Sequence, residues 1–294
     1  VHPTLLSRIT ADARARGATT ALLQAVGPAF ALSWPDGGAT PLSQEEGESL
    51  VQSLADAVFG PEQANAAFRD GLIAWIGSQG LADASPLAAE PLPRAALKLA
   101  DDAELHAATV PGGIRLVWHT WDDVPALDAL GEAEALNAAL NQPYGLLIVA
   151  GADPKDRRLV VDALARELIR LHTWYIADEA VSTPRPGLRN VVGPAAQLTG
   201  AIRSALRWDP DVLVVPTPDA HPEAWTMAVQ AALTGHLVIL GTDGAEAIAA
   251  LRRADVENYL LAASIRAIVE VGPGPRVEAV RMADDAMRAA LQAE

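Results

Sequence analysis

The chain has 294 residues, a formal charge of −15 and an apolar half, long enough for two domains with sizeable cores. Its acidic balance argues against a nucleic-acid surface, which needs clustered Lys and Arg, and the absence of cysteine rules out disulfides, thiol catalysis and cysteine zinc sites. No apolar run approaches the ~20 residues of a membrane span, and the opening VHPTLLSRITADARARG has no signal-peptide core, so the sequence reads as a cytoplasmic protein.

Pro3–Arg16 has the apolar spacing of an amphipathic helix, and Ala21–Trp34 alternates like strands around a Gly-Pro turn. Ser43–Phe59 opens with a capping box, Ser43 answered by Glu46. Gly80–Pro93 is rich in Ala and Pro and reads as a loop. Ala95–Ala100, Glu104–Thr109 and, after a Pro-Gly-Gly turn, Ile114–His119 read as strands. Residues 1–121 are expected to form an α+β domain, and 122–141 a linker carrying one short helix.

From residue 142 to 294 the pattern alternates. Strands are predicted at Gly145–Ala150, Trp174–Asp178, Asn190–Val192, Val212–Val215, Leu237–Leu240 and Ala267–Val271. Helices fall between them at Asp156–Leu171, Pro194–Arg207, Pro222–Leu233, Ala245–Ala254 and Asn258–Ile265. Such alternation implies an α/β domain with a mostly parallel sheet covered by helices.

The stretch YGLLIVAGADPKDRRL, Tyr144–Leu159, has the strand–turn–helix outline of a phosphate-binding loop. A working loop reads G-x-x-x-x-G-K-[ST]: the second glycine lets backbone amides wrap the phosphates, the lysine reaches them, and the hydroxyl holds magnesium. Counted from Gly151, those positions carry Asp156, Arg157 and Arg158, with Pro154 and Lys155 inside the loop. Aspartate puts negative charge where polyphosphate would lie, proline removes an amide donor, and arginine is no substitute for a compact ammonium or for a metal-binding hydroxyl. Pairing of Arg157 or Arg158 with Asp153 or Asp156 would fill the space a phosphate takes.

Several segments carry a resemblance. QPYGLLIVAG (Gln142–Gly151), AIRSALRWDPDVLVV (Ala201–Val215), AALTGHLVIL (Ala231–Leu240), NYLLAASIRAIVEV (Asn258–Val271) and ELHAATVPGGIRLVWHTW (Glu104–Trp121) resemble, in order, segments of the secretion ATPases of type II secretion and type IV pilus assembly. The resemblance is nearer the extension motor than the retraction motor. It implies a PAS-like α+β domain followed by a RecA-like P-loop NTPase-type domain, in a family of hexameric rings with nucleotide between subunits.

At the motif positions the chain departs from that family. After the Walker B strand comes Pro216-Thr217-Pro218-Asp219 in place of a Gly-Glu pair, with Asp219 and Glu223 the nearest carboxylates. The acidic box is reduced to Asp178, followed by Glu179. Of the two histidines of the histidine box only His236 is present, and Arg203 and Arg207 match the family's arginines. Taken by themselves, Arg203 and Arg207 read as a solvated helix face and His236 as a satisfied structural group. Trp174, Trp208 and Trp225 are the tryptophans expected nearest an interface.

Phosphoryl transfer rests on positioned charge and metal, so the sequence leads to a catalytically inactive homologue, without cofactor or metal. It would act as a binding, regulatory or structural component of a pilus or secretion machine, with an active paralogous ATPase as a candidate partner, and be monomeric or dimeric alone. Two alternatives stay open: an ATP-hydrolysing motor that uses Lys155 from a shifted position, and an anion sensor built on Arg157 and Arg158.

Overall fold

The computed structural model describes residues 3–59, 95–99, 103–110, 113–178, 185–193, 195–216, 222–243 and 257–293. The expected loop at 80–93 and helix at 245–254 lie outside them. The chain divides into two compact units, Val1–Thr120 and Trp121–Glu294.

In the first unit, α1 (Pro3–Ala15) precedes strands β1 (Thr20–Val26), β2 (Ala29–Ser33) and β3 (Ala39–Leu42), then α2 (Gln44–Phe59), β4 (Ala95–Lys98), β5 (Glu104–Val110) and β6 (Gly113–His119). The described strands form one six-stranded sheet in the order β3-β2-β1-β6-β5-β4, antiparallel at every pairing. Alternation sends Leu23, Leu32, Leu105, Ile114 and Leu116 into one core, which Leu5 and Ile9 of α1 and Leu50 and Leu54 of α2 join. The capping box forms as read: the Ser43 hydroxyl accepts the Glu46 N–H at 3.1 Å, and the Glu46 carboxylate accepts the Ser43 N–H at 2.9 Å. The short strand β3 was not foreseen, because Pro41 breaks its alternation.

The second unit begins where a linker is expected. Trp121, Val124, Leu127, Leu130, Leu136, Ala139 and Leu140 are all buried in this unit's core; a 3-10 turn at Leu127–Leu130 and helix α3 (Ala133–Leu140) carry most of them. Then come β7 (Gly145–Gly151), α4 (Pro154–Glu167), β8 (Thr173–Asp178), β9 (Arg189–Gly193), α5 (Leu198–Leu206), β10 (Val212–Val215), α6 (Pro222–Leu233), β11 (Leu237–Thr242), α7 (Asn258–Ser264), β12 (Ile265–Gly272), β13 (Arg276–Met282) and α8 (Asp285–Ala293). Sequence reading had supplied neither β13 nor α8.

These strands make a seven-stranded sheet in the order β13-β12-β7-β11-β10-β8-β9. All neighbours are parallel except β12 and β13, as expected for a RecA-like α/β domain. Along β7, Leu147 and Val149 face the cluster holding α3 and α4, whereas Leu146, Ile148 and Ala150 face the one holding α5, α6, α7 and α8. The sheet is thus covered on both faces, which explains why its strands are uninterrupted apolar runs. The chain leaves β7 for β8 on one side and later returns to place β12 on the other, so Gly151 stands at the switch point where such sheets place ligands.

Candidate functional site

The residues after Gly151 do not wrap into a phosphate-sized arc. Only Ala152 and Asp153 separate the end of β7 from α4, which starts at Pro154 and not near Asp156. Pro154 has φ preset for a first helical position and no N–H to leave unsatisfied, and Asp153 caps the helix. Its Oδ1 accepts the N–H groups of Lys155 at 2.8 Å and Asp156 at 3.0 Å. Those two bonds hold the Asp153 carboxyl below the ordinary aspartate range. Amides that a bound anion would take at a helix N-terminus are here bonded to a carboxylate of the chain itself.

The expected self-pairing exists with different partners. Arg157 is buried, 3% exposed, and its Nη1 donates to the carbonyl oxygen of Gly151 at 2.7 Å, folding the guanidinium back under the loop. The Asp156 carboxylate accepts the N–H of Gly274 at 2.7 Å, so the turn between β12 and β13 is tied to the first turn of α4. Arg158, at the hydroxyl position, turns inward and places Nη1 3.6 Å from the Asp162 carboxylate. These arginine contacts go to groups other than Asp153 and Asp156, and the helix start satisfies one of those carboxylates and the Gly274 amide the other.

Behind the loop lies a buried ionic network that the sequence reading missed. The Asp162 side chain is fully buried. Its Oδ1 accepts the Tyr175 hydroxyl at 2.7 Å, and its Oδ2 accepts Nε of Arg185 at 3.1 Å and Nη2 at 2.5 Å. The same guanidinium grips Asp123 with Nη1 at 2.7 Å and Nη2 at 3.1 Å, and lies 5.6 Å from the centre of the Trp121 ring. Burial raises the Asp162 pKa against the pull of Arg185. Burial also works against the Arg185 charge, but Asp123 and Asp162 outweigh it and raise the Arg185 pKa. Asp123 is held below the ordinary range: burial opposes this, but the Arg185 hydrogen bond and charge prevail. One signal was available: Asp162 interrupts the apolar run LVVDALA, and a charge there needs a partner.

The remaining described motif positions are spread along the sheet. Asp178 ends β8, while Thr217 and Asp219 lie outside the described residues. Arg203 and Arg207 are both exposed along α5 and its end. His236 is partly buried, just before β11, with Nδ1 3.0 Å from the Ala231 carbonyl, at the end of the strands opposite Gly151. Of the tryptophans, Trp208 is 67% exposed, whereas Trp225 is buried in the core. Among the described residues no group of three His, Asp or Glu side chains could hold a metal ion, and no helix is long and apolar enough to cross a membrane.

Comparison with known proteins places the second unit. The Type IV pilus assembly ATPase PilB of Thermus thermophilus is 29% identical over 181 residues, which is 56% of this chain and 20% of that protein. The Type II secretion system protein HxcR of Pseudomonas aeruginosa is 30% identical over 193 residues, 60% of this chain and 41% of that protein. The chain therefore spans less than half the length of either relative. Among solved structures, the pilus retraction motor PilT with bound ADP aligns over 97% of this chain and 85% of that chain, with a TM-score of 0.49 and 18% identity. Residues 123–271 match the Type II/IV secretion system protein family, and the chain belongs to that family.

Proposed function

We propose that this chain is a non-hydrolysing member of its family that works by binding, as a regulatory or structural component of a type IV pilus or type II secretion-like machine. The observation that carries the reading is the start of α4, where the Asp153 carboxylate holds the Lys155 and Asp156 amides and Arg157 is bound to the Gly151 carbonyl. A polyphosphate would have to displace one anion and free one buried cation to enter. Magnesium would find arginine at position 158, a side chain with no oxygen to offer. On this reading the first unit is a PAS-like domain, the two units are separate domains, and the protein resides in the cytoplasm. Its partners are other cytoplasmic components of the machine, an active paralogous ATPase among them. Without nucleotide to bridge subunits it is a monomer or dimer by itself.

Calorimetry with ATP–Mg²⁺, coupled to a phosphate-release assay on the intact protein, tests this. The expected result is neither saturable binding at millimolar nucleotide nor turnover. A sub-millimolar site abolished by Arg157→Ala, or steady phosphate release, would overturn it in favour of an active motor.

A further inference from the structure

At the end of the parallel strands opposite Gly151 lies an open cleft of about 440 Å³, unconnected with the loop's nucleotide chemistry. Segments entering β7, β10 and β11 form its walls, and Asp209, Asp211, His236 and Leu171 are among its lining residues. At about 3.3 Å per residue, β7 sets it roughly 20 Å from the loop.

Two carboxylates, Asp209 and Asp211, are among the lining residues, and the nearby imidazoles are hydrogen-bonded within the chain. Nδ1 of His172 lies 3.2 Å from the Asp209 carbonyl oxygen and Nε2 accepts the Trp174 indole N–H at 3.1 Å. Since a carbonyl can only accept, Nδ1 donates there, and both ring nitrogens are taken by partners within the chain. His236 has its Nδ1 3.0 Å from the Ala231 carbonyl oxygen, so that nitrogen is engaged within the chain. Among the described residues the Asp211 carboxylate accepts a neutral donor, the His172 backbone N–H at 2.8 Å. Among the described residues neither Asp209 nor Asp211 is in a salt bridge. The lining residue Leu171 is 47% exposed, and Trp208, the neighbour in sequence of the lining residue Asp209, is 67% exposed; large exposed apolar side chains of this kind anchor protein contacts.

We propose that this cleft docks a basic segment of a partner protein, with an Arg or Lys side chain donating to the Asp209 and Asp211 carboxylates and an adjacent apolar residue packing on Trp208 and Leu171. Charge complementarity selects this occupant: an acidic peptide would meet two unneutralised carboxylates in a chain of net charge −15.

The test uses the full chain labelled with ¹⁵N at its tryptophan indoles, with the Trp208 signal assigned by Trp208→Phe. The probe is the peptide acetyl-Leu-Arg-Leu-Arg-Leu-amide, and its Glu counterpart is the control. The Arg peptide should shift the Trp208 signal saturably, with binding weakened in high salt. Asp209→Asn should weaken binding about fivefold while keeping the left-handed backbone there (φ 48°), which asparagine tolerates. An unmoved Trp208 signal, equal response to the Glu peptide, or unchanged affinity in Asp209→Asn would each overturn the proposal. None of these outcomes depends on whether the chain binds nucleotide.

Discussion

Replacing Arg185 by Met removes the cation from a carboxylate that no water reaches. The Asp162 side chain is 0% exposed and that of Arg185 2%, and breaking such a buried pair costs about 3–5 kcal/mol because the remaining charge is stranded. Asp123, with 53% of its side chain exposed, regains hydration and adds about 0–1 kcal/mol at most. The Tyr175 hydroxyl and the more distant Arg158 still attend Asp162, which favours the lower half of the range, about 3–4 kcal/mol.

The loss should depend on pH. Burial already raises the Asp162 pKa above the ordinary aspartate range, and without Arg185 it rises further. A carboxyl with a raised folded pKa contributes stability that is complete below its unfolded pKa and disappears as pH climbs through the folded value. In the variant, Asp162 therefore destabilises the fold most at pH 7 and recovers as it takes a proton toward pH 4. Asp123 has the opposite sign in the parent protein: its lowered pKa gives stability above the unfolded value that is lost as pH falls through the folded one. Both effects narrow the gap between parent and variant in acid.

Hydrogen exchange of the β7 and β10 amides reports the second unit alone. It should show exchange faster by about two to three orders of magnitude at pH 7, after correction for intrinsic rates, and a smaller ratio at pH 5. Adding Asp162→Asn to Arg185→Met should restore part of the loss. A change below about 1 kcal/mol, or one equal at both pH values, would show that the network does not carry the stability assigned to it.

Two helix glycines should respond in opposite directions to alanine. Gly200 in α5 has open space at its Cβ position, so Gly200→Ala should stabilise by about 0.5–1 kcal/mol, whereas in α2 a Cβ on Gly47 would overlap the Phe30 ring and should cost about 1–3 kcal/mol; urea titration of each variant decides. Gly241→Ala should also destabilise, because its Cβ would collide with the backbone carbonyl of Pro216, and thermal unfolding should show a lower midpoint. Grafting Gly, Lys and Thr at positions 156, 157 and 158 with Pro154→Ser should restore phosphate contacts without turnover, since Pro216-Thr217-Pro218 still lacks a glutamate; substantial phosphate release would show that Asp219 or Glu223 already does that work. Light scattering at moderate salt should find a monomer or dimer, and a stable hexamer without nucleotide would refute that assignment.

Local patterns decided much of what was legible in advance. Apolar runs such as Gly145–Ala150 and Val212–Val215 identify buried parallel strands because both faces of that sheet are covered. The Ser43–Glu46 capping box is likewise a contact between neighbours in sequence. The wrong residues at a phosphate loop could also be read directly, since that loop is a single contiguous stretch. What they do instead could not be, because it depends on distant groups. Gly274 reaches Asp156 only because β12 lies beside β7. Residues 122–141 look like a linker by composition, yet Trp121, Leu127 and Leu136 are drawn into the core, and Asp123 is held by Arg185 from 62 positions away. Periodicity and capping are carried by the chain's nearest neighbours, and the sequence displays them. Ionic partners for a buried charge are chosen by whatever the fold brings within about 3 Å, and only the tertiary structure makes that choice.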